Sequence, residues 1–322
     1  MSESSAPIRP VVSVAINPRT NDARQSLLQA LSRIVQQDST IGINAESLVG
    51  QVVIGGMSEL HLKSVCDRLL HEYKIDAEIG APEIIYLETI RKKSEAEGKF
   101  ITQMGGCGQY GHVKLRVAPN EHTKGFEFED ATNGNLVPKE YIKPIEMGIK
   151  AAMEGGVFAG YPMVDVKAQL YDGSYHEVDS NELAYAVAAS ISFKEAARKA
   201  SPVVLEPVMS VEVVVQNEYM GAIIADLNNR RGRIDAIEHR AGSVIIKSMV
   251  PLAEMLGYAT DMRSITQGSP ATFSIRFSRY EEAPYRGESG GDEAGITVNK
   301  PTGPNPRRGF AAAKPDSDVD CF

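Results

Sequence analysis

Val11-Val12-Ser13-Val14-Ala15-Ile16 is an apolar run stopped by Asn17-Pro18, and it opens the stretch, residues 11–79, whose reading decides the fold. A helix is expected from about Asn21, because Leu27, Leu28, Leu31, Ile34 and Val35 fall on one face at the helical period. Two short strands flank Asn44-Ala45, the second over 51–54. Gly55-Gly56 then leads into a second helix, 58–73, expected to bury Leu62, Val65, Leu69 and Leu70. A strand over 76–79 closes the unit, so the order is β-α-β-β-α-β.

Working outward, the same order returns over 203–282. A strand, 209–215, leads to a helix, 219–229, that stops at Arg231-Gly232. Strands 233–239 and 243–250 turn about Ala241-Gly242. A helix over 252–266 ends before Gly268, and strand 271–280 alternates Phe273, Ile275 and Phe277 with polar neighbours. Both units read as split-βαβ, ferredoxin-like sandwiches. The middle, 81–202, differs: strands fill 84–130, a helix spans 138–154, and a strand spans 163–170. A loop, 171–179, then feeds an alanine-rich helix, 180–200, with Asp179 or Ser180 as its expected N-cap. The fold class is therefore α+β, two ferredoxin-like βαββαβ sandwiches flanking an elongated α+β domain. A leader, 1–9, is expected to be disordered. So is the tail, 283–322, which holds six glycines and five prolines without a period.

The composition narrows the function. At 322 residues, 43% hydrophobic and 24% charged, the chain builds cores for two or three domains. Thirty-four Lys and Arg against 42 Asp and Glu leave a net charge of −8. That excludes a generally basic nucleic-acid coat and allows a local basic patch. Cys66, Cys107 and Cys321 are odd in number and form no CxxC, which argues against a disulfide framework or a zinc site and fits a reducing cytoplasm. No apolar run approaches the ~18 residues of a membrane span, and Met1-Ser2-Glu3-Ser4-Ser5 lacks a signal-peptide pattern, so a cytoplasmic chain without membrane contact is expected.

Three segments carry possible chemistry. Gly105-Gly106-Cys107-Gly108-Gln109-Tyr110-Gly111 contains GxGxxG, but a dinucleotide site needs a helix after it to receive the pyrophosphate. His112 to Val117 alternates as a strand instead. What remains is a flexible glycine turn, or a loop whose backbone approaches another surface closely. Tyr171 to Ser180 gathers Ser174, His176, Glu177 and Asp179. One short loop is a poor frame for a triad, and no second histidine sits at a metal-ligand spacing. Arg230, Arg231 and Arg233 crowd a helix end. They read equally as dipole compensation with Gly232 as the C′ cap, or as forked donors for phosphate. No GxxxxGK[ST] occurs in the sequence, so neither GTP binding nor hydrolysis is expected of it.

Five motifs in order carry a resemblance: Gly56-Met57-Ser58-Glu59-Leu60-His61-Leu62, the segment from Gly105 to Val113, the segment from Asp172 to Ser180, Leu227-Asn228-Asn229-Arg230-Arg231-Gly232, and Gly257-Tyr258-Ala259-Thr260-Asp261-Met262-Arg263-Ser264. Together they resemble translation elongation factor G over about 10–282. The resemblance implies domain III over 10–80, the elongated domain IV over 81–202 and domain V over 203–282. It further implies a non-enzymatic, ribosome-binding portion of a translocase. Domain IV would enter the A site to promote tRNA–mRNA translocation, and domain V would meet the sarcin–ricin loop and the stalk base. GTP and Mg²⁺ would belong to a GTPase and β-barrel half supplied in cis or trans, with no cofactor on this chain. The alternative is a stand-alone ribosome-binding regulatory module without translocase activity. Residue by residue, the resemblance implies a tip of Gly105, Gly106, Cys107, Gly108, Gln109 and Tyr110 with Ser174, Tyr175, His176 and Asp179. Gln109 and His176 would approach the codon–anticodon helix, and Arg230, Arg231 and Arg233 would meet ribosomal RNA phosphate. Cys107 stands where the family usually has a basic residue, and Ser58 where it has glycine.

Overall fold

The first helix begins where the sequence supplies a cap: the Thr20 hydroxyl accepts from the Ala23 N–H at 3.1 Å. The computed structural model that shows this describes residues 10–44, 52–104, 107–132, 136–240 and 242–284. The expected leader 1–9, the tail from 285, Gly105 and Gly106 lie outside the described residues, as does the Cys107 side chain. The first unit comprises β1 (Val12–Pro18), α1 (Asn21–Gln37), β2 (Gly42–Asn44), β3 (Val52–Gly56), α2 (Glu59–His71) and β4 (Ala77–Ile84). Its sheet order is β2-β3-β1-β4, the ferredoxin-like arrangement. Ser58 caps α2, its hydroxyl accepting from the His61 N–H at 3.2 Å, which gives the departure from glycine a local reason. Leu62, Val65 and Leu69 are buried as expected, but Leu70 is only half-buried. Cys66 lies in the core in its place, its thiol pushed up to about 11 by burial.

The third unit repeats the topology with β10 (Pro202–Gln216), α5 (Met220–Asn229), β11 (Arg233–Arg240), β12 (Ser243–Pro251), α6 (Tyr258–Ile265) and β13 (Thr272–Glu282), in the order β11-β12-β10-β13. One expectation fails here. The helix read over 252–266 breaks into a 3-10 turn, Leu252–Glu254, and the shorter α6, because Gly257 sits at φ +75° between them. Buried apolar residues of the first and third units form one contiguous cluster, from Val11 to Met262. Across that seam the Gly257 N–H donates to the Glu59 carboxylate at 3.1 Å.

Between them stand β5 (Leu87–Ile90), β6 (Ser94–Met104), β7 (Cys107–Pro119), β8 (Glu127–Asp130), α3 (Ile142–Glu154), β9 (Val166–Ser174) and α4 (Glu182–Lys199). β5 joins the third unit's sheet by pairing with β10, and the others form a separate sheet, β6-β7-β9-β8. α3 and α4 cover one face of that sheet, packing Tyr185, Phe193, Ile145 and Ile149 onto Val113, Leu115, Val166 and Leu170. The other face is a ladder of mutually neutralising pairs: Arg116 with Glu95 at 2.6 Å, Lys114 with Asp172 at 2.7 Å, and Lys167 with Glu129 at 3.3 Å. Among the described residues no helix is long and apolar enough to cross a membrane.

Three local expectations for this middle unit are corrected. The segment from Cys107 to Gly111 is not a loop but the start of β7, in unbroken register with β6 from Ser94↔Val117 to Met104↔Cys107. Its glycine is a packing device: a Cβ on Gly111 would fall well inside contact with the Ala184 carbonyl, and one on Gly98 would meet Ala188 and Ser192. The loop read over 171–179 is shorter, since β9 continues through Ser174 along β7. The N-cap of α4 is neither Asp179 nor Ser180 but Asn181, whose side chain accepts from the Ala184 N–H at 2.8 Å. Asp179 and Ser180 are occupied elsewhere, in the turn described next.

Candidate nucleic-acid interface at the tip and the helix-end arginines

The long β6–β7 hairpin and the end of β9 converge on one end of the middle unit. After Ser174 the chain closes a turn on itself: the His176 N–H donates to Ser180 Oγ at 2.9 Å, and the Ser180 N–H donates to the His176 carbonyl at 3.1 Å. The Tyr110 N–H donates to the Asp179 carbonyl at 2.7 Å, and Tyr110 and Ser180 form a parallel bridge, so the turn is stitched to β7. From the helix side, Tyr185 Oη donates to the Ser174 carbonyl at 3.0 Å and Tyr141 Oη to the Ser180 carbonyl at 3.3 Å. These two rings stack at 4.4 Å, and burial pushes the Tyr185 phenol up to about 12. Gly108 leaves room for the turn, because a Cβ there would lie 2.5 Å from the Asp179 carboxylate.

On this pinned turn the side chains face solvent. The His176 side chain is 56% exposed, Tyr175 44% and Val178 83%. His176 Nδ1 stands 3.1 Å from the Asp179 carboxylate and 3.3 Å from the Asp179 N–H. Deprotonated it accepts the N–H, and protonated it donates to the carboxylate. The structure thus brings Tyr110, Ser174, Tyr175, His176 and Asp179 together. Gln109 lies in β7 opposite Thr102, and strand alternation turns it to the other face from Tyr110. It is Tyr110 whose ring lies by His176, centroid to centroid 6.2 Å. Ser174 and the His176–Asp179 pair do not share a chain of hydrogen bonds, since the Ser174 hydroxyl is held by Tyr110 and by His112.

At the end of α5 the arginines divide. Arg231, at φ +58°, occupies the left-handed C′ position, its N–H donating to the Asn228 carbonyl at 3.1 Å. Gly232 is the C″ residue, its N–H donating to the Leu227 carbonyl at 2.8 Å. This is a Schellman end in which Gly232, expected at C′, sits one residue later. The Arg231 guanidinium grips Glu206 with two bonds of 2.9 Å and Glu254 with one of 3.1 Å. Arg230 bonds Asp226 at 2.9 Å and Asp261 at 2.6 Å, and lies over the Tyr258 ring. Both forks are filled from within the unit. Arg233, 67% exposed and 3.2 Å from Asp235, presents its guanidinium outward.

A buried residue escaped the sequence reading. The Glu88 carboxylate, fully buried, accepts from five consecutive N–H groups, Val157, Phe158, Ala159, Gly160 and Tyr161, at 2.6 to 3.1 Å. It ties the 155–162 segment to β5 at the junction with the third unit. The glycine-rich run at 155–160 was the only local signal, and its partner lies some seventy positions away.

Three family models match in succession: Elongation Factor G, domain III, over residues 8–81; Elongation factor G, domain IV, over 82–201; and Elongation factor G C-terminus, over 203–287. Among solved structures, a crystal structure of a protein from Thermus thermophilus matches with a TM-score of 0.65 and 38% identity, covering 85% of this chain and 41% of that one. The chain thus spans about two fifths of that protein's length.

Proposed function

The chain belongs to the elongation factor G family, and on that premise we propose that it is the ribosome-contacting portion of a translocase, with the middle unit entering the A site beside tRNA and mRNA. GTP hydrolysis would come from a GTPase module acting in cis or trans. The observation that carries the reading is the tip turn. Its backbone is pinned from three sides, yet it holds an imidazole, a phenol and an apolar side chain in water. Such a turn acts by shape and by hydrogen bonds to phosphates and 2′-hydroxyls, and needs no shifted pKa and no metal. In the third unit the RNA-contacting role falls on Arg233 more than on Arg230 or Arg231, whose forks are already engaged.

The test is co-sedimentation of the purified chain with ribosomes across a salt titration. Binding should fall steeply with salt despite the net charge of −8. Arg233→Ala should lower the slope by about one. His176→Ala should leave stability within ~0.5 kcal/mol, and in a chimera with a related GTPase module it should slow tRNA–mRNA movement. Absence of binding at low salt would remove the proposal. Binding without tRNA–mRNA movement in the parent chimera would instead favour a stand-alone module that occupies the site without translocating. Normal movement in the His176→Ala chimera would remove His176 from the tip contact.

A further inference from the structure

His112 lies on the open, charged face of the middle sheet, paired in register with Lys99 on β6 and Ser174 on β9, yet only 8% of it is exposed. Both ring nitrogens are occupied. Nε2 is 2.7 Å from Glu97 Oε1, and Nδ1 is 2.6 Å from Ser174 Oγ. Ser174 Oγ is also 2.7 Å from Tyr110 Oη.

The inventory of donors and acceptors gives this chain a direction. Lys99 Nζ sits 2.7 Å from the same Glu97 oxygen, and the ammonium, followed by the imidazole, holds that carboxyl below its usual value. An ionised carboxylate only accepts, so Nε2 carries the hydrogen. In a neutral ring Nδ1 is then an acceptor, and the Ser174 hydroxyl donates to it. The remaining lone pair of Ser174 Oγ receives the Tyr110 hydroxyl. Each hydrogen is used once, in the order Tyr110 to Ser174 to His112 to Glu97. A doubly protonated ring would turn the serine hydroxyl toward Tyr110 and leave the phenol hydrogen without an acceptor in the chain.

The far end of this chain is the tip. Ser174 is the last residue of β9 before the His176 turn, and Tyr110 carries both the ring beside His176 and the N–H that holds the Asp179 carbonyl. We infer that His112, as its Nε2–H tautomer, is a positioning residue for the tip, fixing Ser174 and through it the Tyr110 ring against which His176 is set. This rests on the reading of the turn as the RNA-contacting surface. His112 itself touches no exposed tip group, so it acts only through Ser174 and Tyr110.

Two measurements on the full chain test it. Long-range ¹H–¹⁵N correlation of the histidine rings at neutral pH should show His112 protonated at Nε2 alone; the Nδ1–H tautomer or the cation would overturn the inference. In the second, Ser174→Ala and His112→Phe should each abolish the nuclear Overhauser contact between the Tyr110 and His176 rings, and the double variant should do no more than either. Ser174→Thr, which keeps the hydroxyl, should preserve it. Persistence of the contact in folded Ser174→Ala would reduce His112 to a packed core residue; this exposed-face variant serves even if His112→Phe fails to fold. Ribosome affinity and chimera translocation of the same variants separate the two claims. Loss of the ring contact with unchanged movement would support the positioning and count against the tip's role.

Discussion

Replacing Arg231 by alanine decides whether the helix-end cluster is a rivet or an RNA contact. The guanidinium makes two 2.9 Å bonds to Glu206 and one of 3.1 Å to Glu254. Removing one partner of a fully buried pair costs about 3–5 kcal/mol, because the other charge is left without compensation. Glu206 meets that description at 7% side-chain exposure, but Arg231 is 30% exposed, so water partly screens the pair. The discounted expectation is a loss of about 3 kcal/mol in Arg231→Ala. The backbone adds an internal control. At φ +58° a glycine relieves strain that alanine retains, so Arg231→Gly should be about 1 kcal/mol less destabilised than Arg231→Ala. Arg231→Lys keeps the charge and loses the fork, and should fall between parent and alanine. Urea unfolding followed by circular dichroism reads all three, and a cycle with Glu206→Gln should return a coupling of about 2 kcal/mol. If Arg231→Ala unfolds with the parent and only ribosome binding suffers, the guanidinium is free for phosphate and the reasoning fails.

Glu88→Gln should destabilise by about 4 kcal/mol, since either amide orientation turns an NH₂ toward at least two of the five N–H donors and leaves them unpaired; an unshifted urea midpoint would mean those groups do not depend on the carboxylate. Gly111→Ala should lower stability by about 1–3 kcal/mol, because the new methyl collides with the Ala184 carbonyl and α4 must move off the sheet; a thermal midpoint equal to the parent's would deny that close approach. The Thr40 hydroxyl and N–H, at 2.6 and 2.9 Å, and then His61 hold the Asp38 carboxyl below its ordinary value. A depressed folded value stabilises above the unfolded pKa of about 3.9 and is lost as pH falls through the folded one, so parent and Asp38→Asn should converge in stability on acidification below about pH 4. Curves that stay parallel there would sink the assignment.

The sequence by itself determined the repeated βαββαβ order, because hydrophobic periodicity is written locally: Leu27, Leu31 and Ile34 on one helix face, Phe273, Ile275 and Phe277 on one side of a strand. Its motifs also carried the family, since Gly56 to Leu62 and Asp172 to Ser180 stand as contiguous runs. Local reading failed where the deciding partner is distant in the chain. Cys107 to Gly111 read as a loop because its glycines look like turn residues, whereas Gly111 is small to let α4 approach and Gly108 to admit the Asp179 carboxylate. Arg230 and Arg231 read equally as helix-end residues or as phosphate donors, because nothing nearby in sequence announces Glu206 or Asp261, which their guanidinium groups engage. Only the tertiary structure assigned the Glu88 carboxylate to five N–H groups, and the Ser174 hydroxyl to His112 rather than to the neighbouring His176. The reason is physical: an apolar pattern reports which way a side chain faces, while a hydrogen-bonding group is defined by the donor or acceptor that folding brings to it.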